Sequence, residues 1–333
     1  MKKIVISTLK IVLPLGIGVY LLWFLFSSMD ETVKKAFYAS LNRINYFWVI
    51  LSLILSILTL FSRAYRWKYM LEPMGYKSSF WNRYHAVMIG YIMNLTIPRA
   101  GEASRSLMLF RAEGIPFAKS FGTIVAERVF DIIMLAAVLF LTVSLAHSDF
   151  WEMKTTIENQ FKSDGAKNTV SIVKYILIGV FVLGFLGTLF IQKLRVKVLG
   201  FLKNVWEGLT SIFKTKHPFY FIGHTLFIWV NYIVYFAMVF LALPETASMP
   251  FSGILVAFVA GSIGISLTNG GIGVFPLLVG LVIEFYIGDT VGAEAKGIGY
   301  AIGLTIWGSQ TLLIILLGLI SLWLLPKKHT ANE

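Results

Sequence analysis

Residues 94–105 read Asn-Leu-Thr-Ile-Pro-Arg-Ala-Gly-Glu-Ala-Ser-Arg (NLTIPRAGEASR) and follow directly on an apolar run. Two arginines, a glutamate, a proline and a glycine fall within these few positions, where a membrane helix would be expected to end cleanly. Whether the chain turns here inside a bilayer or outside one decides the fold.

The setting is a membrane. The chain has 333 residues, of which 57% are hydrophobic and 14% charged, and its mean hydropathy is +0.77. A soluble domain carries roughly 25% charged residues. Several apolar stretches approach the ~20 residues that span a bilayer. The expectation is an all-α, polytopic membrane protein, a single transmembrane domain over 1–333 with no appended catalytic module. Cysteine is absent, which excludes disulfides and thiolate chemistry. The formal net charge of +12 is read as lysine and arginine gathered in cytoplasmic loops, not as a nucleic-acid surface. Lys2 and Lys3 precede an apolar run that ends at Phe26 without a small-x-small cleavage site, so a retained first helix is expected.

Apolar spans lie near 4–26, 47–62, 80–97, 117–146, 172–191, 219–243, 251–268, 272–287 and 298–325. The loops at 63–83 and 192–217 are basic and are assigned to the cytoplasm; those at 147–171 and 288–297 are acidic and are assigned outside. Parity then constrains the path. Only one full crossing, 117–146, fits between the inside loop at 63–83 and the outside loop at 147–171. Segment 80–97 is therefore expected to enter, turn at NLTIPRAGE and return through 103–115. The second half mirrors it: the chain enters near 251, turns at SLTNGGIG (266–273) and leaves by 288; parity there also allows two short spans, and the glycines and short arms favour a hairpin or broken helices. This gives about six full spans and two oppositely oriented re-entrant or broken-helix hairpins, in halves of about 1–146 and 172–326. The N- and C-termini are placed in the cytoplasm. Interrupted segments in corresponding halves point to a site between inverted repeats. Two amphipathic stretches, 29–46 and 195–213, are read either as interfacial helices or as segments packed on the bundle.

Irregular backbone at membrane depth is tolerated where it is buried in protein or lines a wet cavity. A half-helix starting near Ala103 would aim its amides at that cavity, and helix N-termini suit anions. Asn94, Arg99, Glu102 and Arg105 are thus candidate headgroup-binding residues, with Glu102 expected to pair with one arginine. The competing reading has the arginines snorkelling to the interface. In the next span Glu127, Arg128 and Asp131 must each be compensated, at about 2.5–3.5 kcal/mol per intramembrane charge. Glu127 and Asp131 share a helix face that is expected to meet Arg99 or Arg105. They serve either as a structural ion-pair network or as a proton relay. Asn269, Gly270, Gly271 and Gly273 form the second turn. Arg63 and Arg66, in SRAYRW, are read as a basic entrance or as interfacial anchors with Tyr65 and Trp67. His224 and Asn231 are expected to make interhelical hydrogen bonds. No metal site, catalytic set or cofactor is expected, and no Gly-Lys phosphate loop is present to drive movement with ATP.

The runs SRAYRWKYML, NLTIPRAGEASRSLML, SFGTIVAERVFD and SLTNGGIGV together resemble the lysylphosphatidylglycerol synthase transmembrane, flippase-like family. The likeness covers nearly the whole chain. In that family the second turn usually reads Pro-Gly-Gly-x-Gly with a glutamate soon after; here Asn269 and Pro276 stand at those places. The resemblance implies a domain that moves anionic or modified lipids, phospholipid or polyprenyl-linked, between leaflets of a bacterial inner membrane. It does not imply lysyl transfer. Two other classes stay open: an integral membrane enzyme acting on a lipid or polyprenyl phosphate, and a non-catalytic partner of a lipid-modifying enzyme.

Overall fold

The computed structural model describes residues 16, 18–27, 29–97, 100–149, 152, 192, 196, 200 and 217–325. The expected span at 172–191, nearly all of the amphipathic stretch at 195–213, and Arg99 lie outside the described residues. The elements are α1 (Gly18–Ser27), α2 (Glu31–Arg43), α3 (Tyr46–Leu71), α4 (Phe80–Thr96), α5 (Gly101–Glu113), α6 (Phe117–Leu145), α7 (Pro218–Phe240), α8 (Pro244–Ala247), α9 (Phe251–Leu267), α10 (Val274–Val291) and α11 (Ala295–Leu324). No strand occurs among the described residues. Among the described residues three stretches, Tyr46–Met74, Pro218–Phe240 and Val274–Leu324, are long and apolar enough to cross a membrane. The protein is an all-α membrane protein.

Contacts between chain-distant residues define two ends. At the near end Glu113 Oε1 accepts hydrogen bonds from Ser79 N and Asn82 Nδ2, both 2.7 Å, and Tyr69 stacks on Tyr220 with centroids 5.7 Å apart. At the far end Arg43 Nη2 meets Glu245 Oε1 at 2.5 Å, and Asn45 N donates to Ala242 O at 3.0 Å. There Asp149 Oδ2 accepts from Tyr286 OH at 2.5 Å and from Ser252 Oγ at 3.2 Å. The Tyr286 hydrogen bond, with those from Ser148 and Ser252, holds the Asp149 carboxyl below its ordinary value.

The expected turns are hairpin tips. Helices α4 and α5 leave from and return to the near end. The 13 residues of α5 reach only about 20 Å at 1.5 Å per residue, short of the ~30 Å hydrocarbon core. The arms touch through glycine: a Cβ on Gly101 would stand 2.3 Å from Gly90 O. Helices α9 and α10 start at Ser252 and come back past Tyr286, so they open at the far end. Their tip carries Gly270, Gly271 and Gly273 at φ 62°, 80° and 74°, the left-handed region that glycine enters without steric cost.

The two tips meet. A Cβ on Gly270 would fall 2.4 Å from Leu95 Cδ2. Helix α11 runs along both hairpins: Trp307 Nε1 donates to Gly270 O at 2.8 Å, and His85 Nδ1 lies 3.0 Å from Ser321 Oγ. Helix α2 takes the packed alternative. Its Val33 and Phe37 are buried against α11, where a Cβ on Gly297 would come within 2.5 Å of Val33 O.

Candidate functional site

Three helices bring their charges to one place near the tip of the first hairpin. Helix α6 supplies Glu127 and Asp131, four residues apart on one face as the periodicity predicts. Helix α3 supplies Arg63 and Arg66, and α5 supplies Arg105. All five are buried. Arg66 is saturated: its Nε and Nη2 reach Glu127 Oε1 at 3.0 and 2.5 Å, its Nη1 reaches Asp131 Oδ1 and Thr225 Oγ1, both at 3.1 Å. Arg63 Nη2 donates to Asp131 Oδ2 at 2.7 Å, and its Nη1 donates to the hydroxyls of Tyr91 and Tyr232. Arg105 Nη1 donates to Glu127 Oε2 at 2.8 Å, and its guanidinium lies 3.9 Å from the centre of the Trp67 ring. Such cation–π contact favours a cation held away from water.

Each of the four carboxylate oxygens of Glu127 and Asp131 meets a guanidinium. The guanidiniums are not all used in return. Arg105 Nε and Nη2 and Arg63 Nε are buried without a hydrogen-bond partner. Buried donors left unpaired cost about 1–3 kcal/mol each, and three arginines against two acids leave one net positive charge in the cluster. Arg63 and Arg105 also line a cavity, with Tyr91, Asn94, Gly101, Glu102 and Arg128 among others, that has room for about 20 Å³, roughly one water.

The sequence-derived candidates are distributed as follows. Arg105 meets Glu127 as expected. Asn94 lines the cavity, but its Oδ1 accepts from Gly101 N at 2.7 Å and so caps α5, whose first residue is Gly101 and not Ala103. Glu102 pairs with Arg128, Nε to Oε1 at 3.4 Å, and not with Arg105. Arg128, partly exposed, also reaches Asp131 Oδ2 at 3.2 Å. Arg63 and Arg66 are buried among these charges and not exposed as interfacial anchors. Helix α3 runs on past the apolar stretch to Leu71, which carries both arginines inside. His224 bonds across helices, to Ser62 Oγ at 2.7 Å, whereas Asn231 donates only within its own helix, to Phe227 O. The second turn, Asn269 to Gly273, packs on the first tip but does not line the cavity. Tyr91, Tyr232 and Thr225 belong to the network and were not read from the sequence, and Trp67 was read there only as an interfacial anchor. Their signal is spacing: Tyr91 and Asn94 share a face of α4, and Thr225 and Tyr232, seven apart, share a face of α7. Among the described residues no group of three or more histidines and acids is placed to hold a metal.

Known proteins place this arrangement in a family. A 134-residue stretch, 39% of this chain, is 33% identical to a UPF0104 membrane protein of Methanocaldococcus jannaschii. A 247-residue stretch, 65% of this chain, is 26% identical to Glycosyltransferase AglD of Haloferax volcanii. These stretches span 38% and 39% of the relatives' own lengths. No solved structure matches the chain. The family model described as Lysylphosphatidylglycerol synthase TM region matches residues 11–318, and the chain belongs to that family.

Proposed function

We propose that the protein is a lipid translocator that receives an anionic headgroup at the tip of the α4–α5 hairpin. One observation carries the reading: Arg105 lines the cavity, is buried, is held by Glu127 and Trp67, and keeps Nε and Nη2 without a hydrogen-bond partner. Ionisable groups inside membranes mark substrate pathways and relays, and a guanidinium edge with two free donors matches a phosphate. The tip-to-tip contact of two hairpins opening at opposite ends supports movement of the headgroup from one leaflet toward the other. Cell-membrane placement and cytoplasmic termini are part of this proposal.

The test is lipid movement in phosphatidylcholine vesicles containing the purified protein and a trace of acyl-labelled NBD-phosphatidylglycerol, with dithionite added to bleach the outer leaflet. The wild type is expected to move the anionic probe faster than NBD-phosphatidylcholine, and Arg105→Ala is expected to abolish the difference. Equal rates for both probes in both proteins would overturn the proposal. The AglD likeness supports a second reading of the same site. A relative named a glycosyltransferase suggests a polyprenyl-linked phosphate as cargo, with this domain as partner to a lipid-modifying enzyme. Faster movement of a labelled polyprenyl phosphate than of phosphatidylglycerol would favour it.

A further inference from the structure

Helix α3 carries a polar stripe that continues away from the charged cluster. Ser52, Ser56, Thr59, Arg63 and Arg66 fall three or four residues apart, on one face, and all are buried in a helix otherwise apolar enough to cross a membrane. Since α3 starts at the far end and finishes at the near end, the stripe leads from the arginines toward the far side. Its outer part faces α11. Ser56 Oγ donates to Gln310 Oε1 at 2.8 Å, and Gln310 Nε2 makes only a long, 3.4 Å contact with Ser52 Oγ. One turn earlier on α11, Trp307 holds Gly270 O. The residue before Gly270 is Asn269, whose side chain is 4% exposed and whose Nδ2 has no partner.

We infer that Asn269, Gln310 and Ser56 form a second, uncharged headgroup station on the far side of the hairpin tips. The inference rests on the translocator reading and extends it. A headgroup held only by arginines would be bound too well to leave; conduction needs sites that bind and release. Amide and hydroxyl groups can take a phosphate or glycerol oxygen through neutral hydrogen bonds, which are about half as strong as charge-assisted ones. Asn269 Nδ2 is a buried donor with nothing to donate to in the resting protein, and a passing headgroup oxygen supplies the acceptor. The competing account treats Ser52, Ser56 and Gln310 as polar contacts that hold α3 to α11, which leaves the idle amide of Asn269 unexplained.

The experiment uses the vesicle assay with NBD-phosphatidylglycerol on wild type, Asn269→Ala, Gln310→Met, the double variant and Arg105→Ala. Phosphatidylglycerol retained by each purified protein is counted by native mass spectrometry, and melting is recorded in detergent. Removing an unpaired amide costs no native hydrogen bond, so Asn269→Ala is expected to melt at or above the wild-type temperature. It should move lipid about tenfold more slowly, a change of one decade in rate, while retaining as much phosphatidylglycerol as wild type. Arg105→Ala is expected to lose retention. If Asn269→Ala and the double variant move lipid at the wild-type rate, the station does not exist. If they lose rate only in proportion to lost melting temperature, the residues are helix contacts and the inference is again overturned. A wild type that moves no lipid overturns the translocator reading and the station together, a pattern distinct from a fast wild type with fast variants.

Discussion

Glu127 is the residue on which the charged cluster turns. Its Oε1 takes two donors from Arg66 and its Oε2 takes Arg105. Removing one partner of a buried ion pair leaves an uncompensated charge and costs about 3–5 kcal/mol. Glu127→Gln is therefore expected to lower the melting temperature sharply in detergent, and Glu127→Gln with Arg105→Gln to recover part of the loss; no change in melting would mean the acid is not what holds the arginines. The sequence exposed this residue because Glu127 and Asp131 stand four apart inside an apolar run, where a charge demands a partner. It read Arg63 and Arg66 as a basic entrance or anchors and did not expose them as partners of these acids. They follow the apolar run directly, and a window of hydropathy ends a helix where charges begin. The structure continues the helix because Glu127 and Asp131 compensate those charges from another element. The usable signal was the period of the polar stripe, from Ser52 through Thr59 to Arg66, which belongs to a buried face and not to a loop.

At the level of elements, hairpin geometry depends on close backbone approach. Gly101 meets Gly90 O and Asn94, so a methyl group there forces α5 away from α4. Gly101→Ala is expected to cost about 1–3 kcal/mol through overpacking and to reduce lipid movement by displacing Arg105. Gly122→Ala, in α6 with nothing within 4 Å of the added carbon, is the matched control and is expected to gain up to about 1 kcal/mol from helix propensity. Equal melting of the two variants would show that the α4–α5 contact is slack. The first turn was legible in the sequence from proline, glycine and parity, and the second from its glycines and short arms. The start of α5 was misplaced by two residues because its cap comes from Asn94, across the turn and seven positions upstream, where local capping rules do not look.

For the whole molecule, the two hairpins open at opposite ends and touch at their tips. The chain has no cysteine, so single cysteines report side without background. Lys77→Cys and Arg111→Cys are expected to react with an impermeant maleimide from one face of the membrane, and Ser248→Cys and Ala293→Cys from the other; labelling of Arg111→Cys together with Ser248→Cys from the same face would break the topology. This opposition was predicted from charge and crossing parity, although three of the arginines counted in the basic loop, Arg63, Arg66 and Arg83, are buried. The contact between Leu95 and Gly270 was not predictable, because no local pattern records which tips meet.

The most direct measurement is headgroup capture by Arg105. Native mass spectrometry of the purified protein with equimolar phosphatidylglycerol and phosphatidylcholine, run on wild type, Arg105→Lys and Arg105→Ala, reads it without requiring movement. The account predicts preferential retention of phosphatidylglycerol by the wild type, a weaker preference with lysine, which keeps the charge but lacks the planar pair of donors, and none with alanine. Equal retention of both lipids by the wild type, or an undiminished preference in Arg105→Ala, would contradict it.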